Sequence, residues 1–342
     1  MLDVQKAQDY YGFAGGWRPQ RVGGEPEEAA AGPGRDEAAQ LQAAGDPQLA
    51  RRASSEHLEE LLEEPSHLGG EEAPWLAAAE GEAAAQAGSQ AATPPLAPLI
   101  AVVGGSGGVG RSSVAVLCAA LAASQGIDTA LIEGDLQFGD YGFWFGLDDK
   151  LPNLGDPRAC TPVECAPGFS LYKAPLFPEV AEEVEDLLAE EVPRMRRGRE
   201  LVIADTGGMW SGYTASLLLQ CDLYLMVVDQ RPSSVASALK ACELCHRLKV
   251  PRTRMVVVFN RWSSKAALSA REVGRALDAT HVCCIQDSKE PLDELLRCGG
   301  IEELLSSDNP AVNGARELLR QALPRVGCSF ESADARRKGV FK

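Results

Sequence analysis

Residues 104–113 read "GGSGGVGRSS", a stretch that closes the apolar run "PLIAVVGG" (98–105) and opens the run "RSSVAVLCAALAASQG" (111–126). A short apolar run ending in glycines is typical of a buried parallel strand, and the second run predicts a helix with Gly126 at its end. A glycine-rich loop between strand and helix brings backbone N–H groups and the positive end of a helix dipole together. The stretch therefore predicts a phosphate-binding loop.

The loop fits the pattern G-x-x-x-x-G-K-[ST] over 105–112, with Arg111 in the lysine position. Arginine keeps the positive charge, but its planar guanidinium is longer and bulkier than the ammonium group of lysine. We expect phosphate binding to survive this change more readily than the alignment needed for phosphoryl transfer. The alternative is a glycine-rich turn without a ligand. The predicted phosphate contacts are Gly105, Ser106, Gly107, Gly108, Val109, Gly110, Arg111, Ser112 and Ser113.

The rest of the sequence alternates between apolar strand patterns and helical patterns. Predicted strands lie at 98–105, 128–135, 169–175, 200–208, 221–230, 254–260 and 281–286, and predicted helices at 111–126, 178–192, 232–249, 291–300 and 311–323. This alternation predicts an α/β fold with a mostly parallel, doubly wound sheet.

Two acidic residues follow predicted strands at the same edge of this sheet. Asp135 ends "DTALIEGD" and Asp205 ends "ELVIAD". Ligands of parallel sheets bind at the carboxyl ends of the strands. We therefore predict Mg²⁺ binding by Ser112, Asp135 and Asp205, with Asp135 and Arg111 as the catalytic candidates. Each carboxylate could instead cap a helix or a turn.

Composition divides the chain into four expected parts. Residues 23–98 carry 15 acidic and 3 basic residues with few branched or aromatic side chains, which predicts a disordered linker. A short helix at 54–64 is the exception within it. The expected parts are an aromatic N-terminal segment (1–22), the linker (23–98), the nucleotide-binding domain (99–325) and a flexible tail (326–342).

The sequence contains neither a secretory leader nor an apolar run of the ~18 residues that span a membrane, so we expect a cytoplasmic protein. The stretch "CELCH" (242–246) matches a haem-attachment pattern, but it lies in a helical pattern that predicts buried cysteines. Cys283 and Cys284 fit a strand better than a metal site.

The ordered set "GGSGGVGRSS", "IEGDLQFGDYGFWFGL", "IADTGG", "VVDQ" and "FNR" resembles the MinD/ParA class of P-loop ATPases, which have a deviant phosphate loop and two switch regions. Within that class, "GDLQFGD" (134–140) and the altered loop look most like the CpaE/TadZ branch, associated with Flp/tad pilus assembly. The resemblance covers roughly residues 99–325.

The resemblance implies ATP and Mg²⁺ as ligands and a homodimer as the assembly. It implies that Asp135 is the switch carboxylate linked to water activation and Asp205 the second-switch aspartate. It further implies that Asn260, beside Arg261, contacts adenine. Two departures stand out: Ser106 occupies the position of the family's signature lysine, and Arg111 replaces the loop lysine. They predict weak or absent hydrolysis.

The function expected from the resemblance is the localisation or assembly of pilus or secretion machinery, with recruitment to the inner face of the membrane or to a cell pole. Aromatic residues at 143–145 and 209–213 either form a partner surface or pack in the core. A septum-site or partitioning ATPase is the alternative. Nonspecific DNA binding needs a strongly basic face, and the net charge of −16 argues against such binding. The C-terminal segment lacks a sustained apolar face, so we do not expect peripheral membrane binding through it. Any membrane contact is expected to be at most peripheral.

Overall fold

The computed structural model describes residues 95–156, 161–265, 268–288 and 300–330, together with residues 290, 292 and 294. The expected N-terminal segment, nearly all of the expected linker with its short helix, and the chain from residue 331 onward lie outside the described residues. The domain expected at 99–325 falls almost entirely within them.

Strands and helices alternate along the described chain. The strands are β1 (Leu99–Val103), β2 (Thr129–Glu133), β3 (Val163–Cys165), β4 (Phe169–Tyr172), β5 (Leu201–Asp205), β6 (Leu223–Val228), β7 (Met255–Trp262) and β8 (Val282–Gln286). The helices are α1 (Arg111–Ser124), α2 (Tyr141–Trp144), α3 (Ala181–Met195), α4 (Gly212–Gln220), α5 (Pro232–Arg247), α6 (Ala270–Ala276), α7 (Ile301–Ser306) and α8 (Pro310–Ala322).

The eight strands form one sheet in the order β3-β4-β2-β5-β1-β6-β7-β8. All neighbouring pairs are parallel except β3 and β4, which form an antiparallel hairpin at one edge. This arrangement confirms the predicted fold class. Strand β1 lies in the middle of the sheet, between β5 and β6. Strands β2 to β5 lie on one side of it, and strands β6 to β8, which follow later in the chain, lie on the other. The carboxyl end of β1 is therefore the crevice where such sheets bind ligands.

Helices cover both faces of the sheet. Side chains alternate along each strand, so Leu99, Ala101 and Val103 of β1 face one layer while Ile100 and Val102 face the other. The first layer contains α3, α4, α5 and α6, and the second contains α1, α2, α7 and α8. With both faces covered, the central strands are buried along their whole length, which explains why they read as unbroken apolar runs.

The predicted elements differ from the observed ones mainly at their ends. Strands β1, β2, β5 and β6 stop before glycines or acidic residues that the sequence patterns included, because those residues form the turns at the carboxyl edge, whereas β7 extends two residues past its predicted end at 260. Helix α3 was expected to stop before Pro193 but continues to Met195. Proline lacks an N–H and leaves the carbonyl four residues earlier without its helical partner. The side chain of Gln220 donates to that carbonyl, of Ala189, at 3.2 Å.

Several short elements were not predicted. Strand β3 and helices α2, α4, α6 and α7 are too short, or too mixed in composition, to show a clear period. The helix expected at 291–300 lies mostly outside the described residues. Helix α5 contains the "CELCH" stretch, with Cys242 and Cys245 buried, as its helical pattern predicted. No helix among the described residues is long and apolar enough to cross a membrane.

Candidate functional site

The predicted phosphate loop connects the centre of the sheet to helix α1. Gly108 and Gly110 have φ values of 71° and 88°, a left-handed conformation that favours glycine. Gly110 precedes the first turn of α1, whose N–H groups have no partner inside the helix. The loop therefore presents free donors at the carboxyl end of β1.

Three consecutive carbonyl groups of this loop are held by side chains from the neighbouring strands. The guanidinium of Arg231 donates to the oxygen of Gly107 at 3.3 Å, and that of Arg261 donates to the oxygen of Gly108 at 2.9 Å. The side-chain amide of Asn260 donates to the oxygen of Val109 at 2.8 Å. All three donors contact the loop from the side of β6 and β7.

Because peptide groups are planar, these contacts determine where the N–H groups of the loop point. In a trans peptide the carbonyl of one residue and the N–H of the next point in opposite directions. Because the carbonyls of residues 107–109 point toward Arg231, Arg261 and Asn260, the N–H groups of residues 108–110 point away from these side chains. Three successive amides that face one way form an anion-binding nest.

Close packing reinforces this arrangement at Gly110. A Cβ atom at this position would lie 2.3 Å from the side-chain nitrogen of Asn260. Only glycine allows Asn260 to reach the loop at this point. By contrast, a Cβ on Gly107 or Gly108 would meet no atom within 4 Å, so the loop is open there.

Asn260 and Arg261 reach the loop together because strand β7 is irregular. Consecutive residues of a regular strand point to opposite faces of the sheet. Between Phe259 and Trp262 the pairing with β8 shifts in register, and Arg261 has a φ of 51°. Such a bulge re-aims side chains. Arg231 is positioned differently: the buried Asp229 accepts from its Nε at 2.7 Å.

Two polar groups at the loop have no partner among the described residues. The side-chain oxygen of Ser106 is buried and makes no hydrogen bond. The guanidinium of Arg111 forms no ion pair within the described chain, although its side chain passes beside Gly104 and Gly208. An unpaired buried hydroxyl and an unpaired cation beside free amides fit an anionic ligand such as a phosphate chain.

The hydroxyl of Ser112 contacts the carboxylate of Asp205, which also accepts from the hydroxyl of Tyr141 at 2.8 Å. Burial raises the pKa of Asp205, while the Ser112 and Tyr141 hydroxyls and the charge of Arg111 oppose the rise. A hydroxyl and a carboxylate beside a phosphate site suit Mg²⁺, which keeps several waters and binds few protein groups. The described residues contain no group of three or more His, Cys, Asp or Glu side chains that could hold a metal ion.

The turns after β2 and β5 are packed directly against each other. The N–H of Gly134 donates to the backbone oxygen of Asp205 at 2.8 Å. A Cβ on Gly207, whose φ is 68°, would lie 2.8 Å from the Cα of Asp135. The Asp135 carboxylate accepts from the N–H of Phe138 at 3.0 Å, so it has a turn-forming role in this structure. Movement of either turn would displace the other.

Glu133 anchors the segment that follows β2. Its two carboxylate oxygens accept from the N–H groups of Tyr141, at 2.7 Å, and Ala174, at 2.8 Å. Burial raises the pKa of Glu133 to about 8, because lost hydration outweighs these two donors. Nearby Asp140 has its pKa raised to about 6, first by desolvation and then by the charges of Asp205 and Asp135.

The structure thus brings the predicted residues to one edge of the sheet in two groups. Arg111, Ser112, Asp135 and Asp205 lie on the β5 side of the loop, and Asn260 and Arg261 lie on the β7 side. The sequence did not point to Arg231 or Tyr141. Trp210, within the aromatic stretch at 209–213, donates its indole N–H to the backbone oxygen of Gly104 at 3.0 Å. The signal for Arg231 was its position just after "VVDQ", at the end of a strand next to β1.

The fold is that of MinD/ParA-type P-loop ATPases. The cell division ATPase MinD of Pyrococcus furiosus gives a TM-score of 0.57 at 16% identity, over 66% of this chain and 100% of that chain. The septum site-determining protein MinD of Pyrococcus horikoshii, solved with Mg-ADP, gives 0.56 at 15% identity, over 67% and 99%. A ParA family ATPase of Chlorobium tepidum gives 0.54 at 18% identity, over 64% and 96%. Comparison of the sequence with protein-family models and with curated proteins gives no match.

The raised pKa of Glu133 predicts a stability that depends on pH. Between its ordinary value of 4.5 and about 8, the folded chain keeps a proton on Glu133 that the unfolded chain releases. The stability that this group contributes is complete below the lower value and is lost as the pH rises through the upper one. We expect Glu133→Gln to become more stable relative to the wild type across this window, by up to about 1.4 kcal/mol per pH unit.

Urea denaturation at several pH values measures the difference. The control is Glu190→Gln, at an exposed position of α3, which should follow the wild type at every pH. A constant difference between wild type and Glu133→Gln across the window would show that Glu133 is ionised in the folded chain.

Proposed function

We propose that this chain binds Mg-ATP through residues 104–113 and acts as a MinD/ParA-like nucleotide-dependent protein with weak or absent hydrolysis. The observation that carries the proposal is the set of three loop carbonyls held by Arg231, Arg261 and Asn260, which turns three successive amides toward the open side of the loop. The unpaired Ser106 hydroxyl and Arg111 guanidinium lie at the same loop and support an anionic ligand.

In this proposal the amides of Gly107 to Ser113 bind the phosphates, and Ser112 with Asp205 holds Mg²⁺. The bound metal ion would neutralise phosphate charge. One N–H of the Asn260 amide already donates to Val109, so its second N–H and its carbonyl oxygen are the groups left for adenine. Arg261 acts on the loop backbone, and Asp135, bound to the N–H of Phe138, would have to leave its turn to orient a water.

Weak turnover follows from the two substituted lysine positions. Ser106 brings no positive charge to the loop, and Arg111 places a broad guanidinium beside Gly208 and within the electrostatic influence of Asp205. The nest itself consists of backbone amides and does not depend on either side chain. Binding and hydrolysis are therefore separable in this chain.

The biological role we propose is that of the CpaE/TadZ type: a dimer that localises or assembles pilus or secretion machinery. It rests on the motif "GDLQFGD" and the altered loop. A septum-site or partitioning ATPase is the second candidate, since solved MinD and ParA proteins share the fold.

Several arginines of the basic stretches 193–200 and 247–254, which DNA binding by the second candidate would use, are engaged within the fold. Arg196 donates to Ala97, Gln220 and Asp222, and Arg254 donates to the backbone oxygen of Cys221. Arg252 pairs with Asp278. These contacts favour the first candidate, and salt-sensitive binding to random duplex DNA would favour the second.

Calorimetry of the full chain with ATP, with and without Mg²⁺, tests nucleotide binding. We expect saturable binding that weakens when Mg²⁺ is removed, because Ser112 and Asp205 then face the phosphates without a cation. Gly110→Ala should abolish binding, since its Cβ would displace Asn260. Gly142→Ala, whose Cβ would make only an ordinary contact at 3.5 Å, is the matched control.

A folded chain without affinity for any adenine or guanine nucleotide in the presence of Mg²⁺ would end the proposal.

The Ser106→Lys and Arg111→Lys variants of the full chain test the explanation for slow turnover. We expect at least one of them to raise the rate of phosphate release. If neither does, the substituted lysines are not the cause.

A second prediction concerns Arg261 as an orienting donor. Arg261→Met removes the hydrogen bond to Gly108 and should raise the Kd for Mg-ATP about tenfold, the range of a hydrogen bond to a charged group. Arg261→Gln keeps an N–H donor without the charge, at the same backbone conformation. We expect Gln to restore most of the affinity.

Equal losses in the Met and Gln variants would mean that the charge or the length of the Arg261 side chain matters, since the Gln amide nitrogen lies two bonds short of the Arg261 Nη1. Arg271→Met, at an exposed position of α6, controls for the loss of an exposed arginine near this edge. Thermal unfolding of each variant separates a loss of affinity from a loss of fold.

A further inference from the structure

Exposed apolar side chains concentrate on one part of the surface. The described residues include eight large apolar side chains that are exposed, and five of them lie on the segments after β2, β4 and β5. We call these five the switch-edge patch. They are Phe138 (76% exposed), Phe143 (47%), Leu176 (44%), Phe177 (58%) and Met209 (67%).

The three segments that carry the patch are packed together. A Cβ on Gly139, next to Phe138, would lie 2.6 Å from the Cβ of Ala174, two residues before Leu176. Similarly, a Cβ on Gly207, two residues before Met209, would lie 2.8 Å from the Cα of Asp135. The segments that carry the exposed side chains therefore adjoin one another. Solvent-exposed apolar groups collected in this way mark interaction sites.

The segments that carry the patch after β2 and β4 are acidic. Six exposed carboxylates lie on the segments 134–150 and 173–183, whose described residues include a single exposed cation, Lys150. They are Asp140, Asp148, Asp149, Glu179, Glu182 and Glu183. A patch of this composition complements a partner that has apolar side chains flanked by positive charges.

The charge also argues against a second copy of the chain as the occupant. Twofold contact between two such patches would bring two surfaces of the same net negative charge together, and like charges facing each other disfavour an interface. We infer that the switch-edge patch docks a segment of another protein in which aromatic or aliphatic side chains alternate with lysine or arginine. The docking itself requires no nucleotide.

The patch is linked to the phosphate loop through the segment that carries Phe138 and Phe143. Within this segment the N–H of Phe138 donates to Asp135, and the hydroxyl of Tyr141 donates to Asp205. Both carboxylates lie at the candidate Mg²⁺ site. From these contacts we expect Mg-ATP to change the affinity of the docking, an expectation that rests on the proposed function.

The test is selection of displayed random 16-residue peptides on the full chain, followed by fluorescence anisotropy of the recovered sequences. We expect recovered peptides to combine lysine or arginine with apolar residues and to bind more weakly as salt is added. Phe138→Ser combined with Phe177→Ser should weaken them at least tenfold. The matched control is Leu187→Ser combined with Leu219→Ser, which alters two apolar side chains, 60% and 40% exposed, outside the patch.

Recovery of no peptide, of neutral or acidic peptides, or of peptides that bind the patch variant as well as the wild type would overturn the inference. Sedimentation of the chain without peptide tests whether a second copy binds the patch instead. If the wild type self-associates and the patch variant does not, the surface binds a second copy. Repeating the anisotropy with Mg-ATP separates the two proposals. If Mg-ATP does not change the Kd of the peptides, the docking inference stands and only the expected effect of Mg-ATP is contradicted.

Discussion

The orientation of three peptide planes in the loop at 107–110 is the constraint on which the rest of the site depends. The backbone of a glycine-rich loop can adopt many conformations, and ordering it around a ligand costs conformational entropy. Side chains from two neighbouring strands remove the freedom in advance by binding the carbonyls from outside. Preorganisation of this kind serves binding directly, since the ligand does not have to order the loop.

The sheet order explains why these donors are within reach. Strand β1 lies beside β6, and β6 lies beside β7, so residues that follow the ends of β6 and β7 come to the same crevice as the loop. On the opposite side β5 and β2 bring Asp205 and the turn at 134–135 to the loop. The site is thus supported from both sides by the strands that flank its own. Tyr141 and Glu133 extend this support to the exposed edge beyond β2.

The sequence predicted the parts of this molecule that have a period or a motif. Buried parallel strands and long helices show in apolar runs, and the loop shows in its glycines, so the fold class, the loop and Asp205 could be found. Arg231 and Tyr141 could not, because their roles depend on contacts between residues more than 60 positions apart. No sequence pattern predicts the bulge at Arg261, which brings the side chains of Asn260 and Arg261 to the same loop. Pro193 was read as a helix end because the donor that replaces its missing bond, Gln220, lies on another helix.

The backbone amide NMR spectrum, followed while Mg-ADP is added, tests the orientation of the loop most directly. If the loop grips phosphate through preset amides, the amide protons of Gly108, Val109 and Gly110 should shift downfield together as they become donors to phosphate oxygens. The amide of Gly168, in the β3–β4 hairpin at the edge of the sheet, should stay in place. Saturation of the chain with Mg-ADP without a shift at these three amides would mean that the nucleotide binds elsewhere.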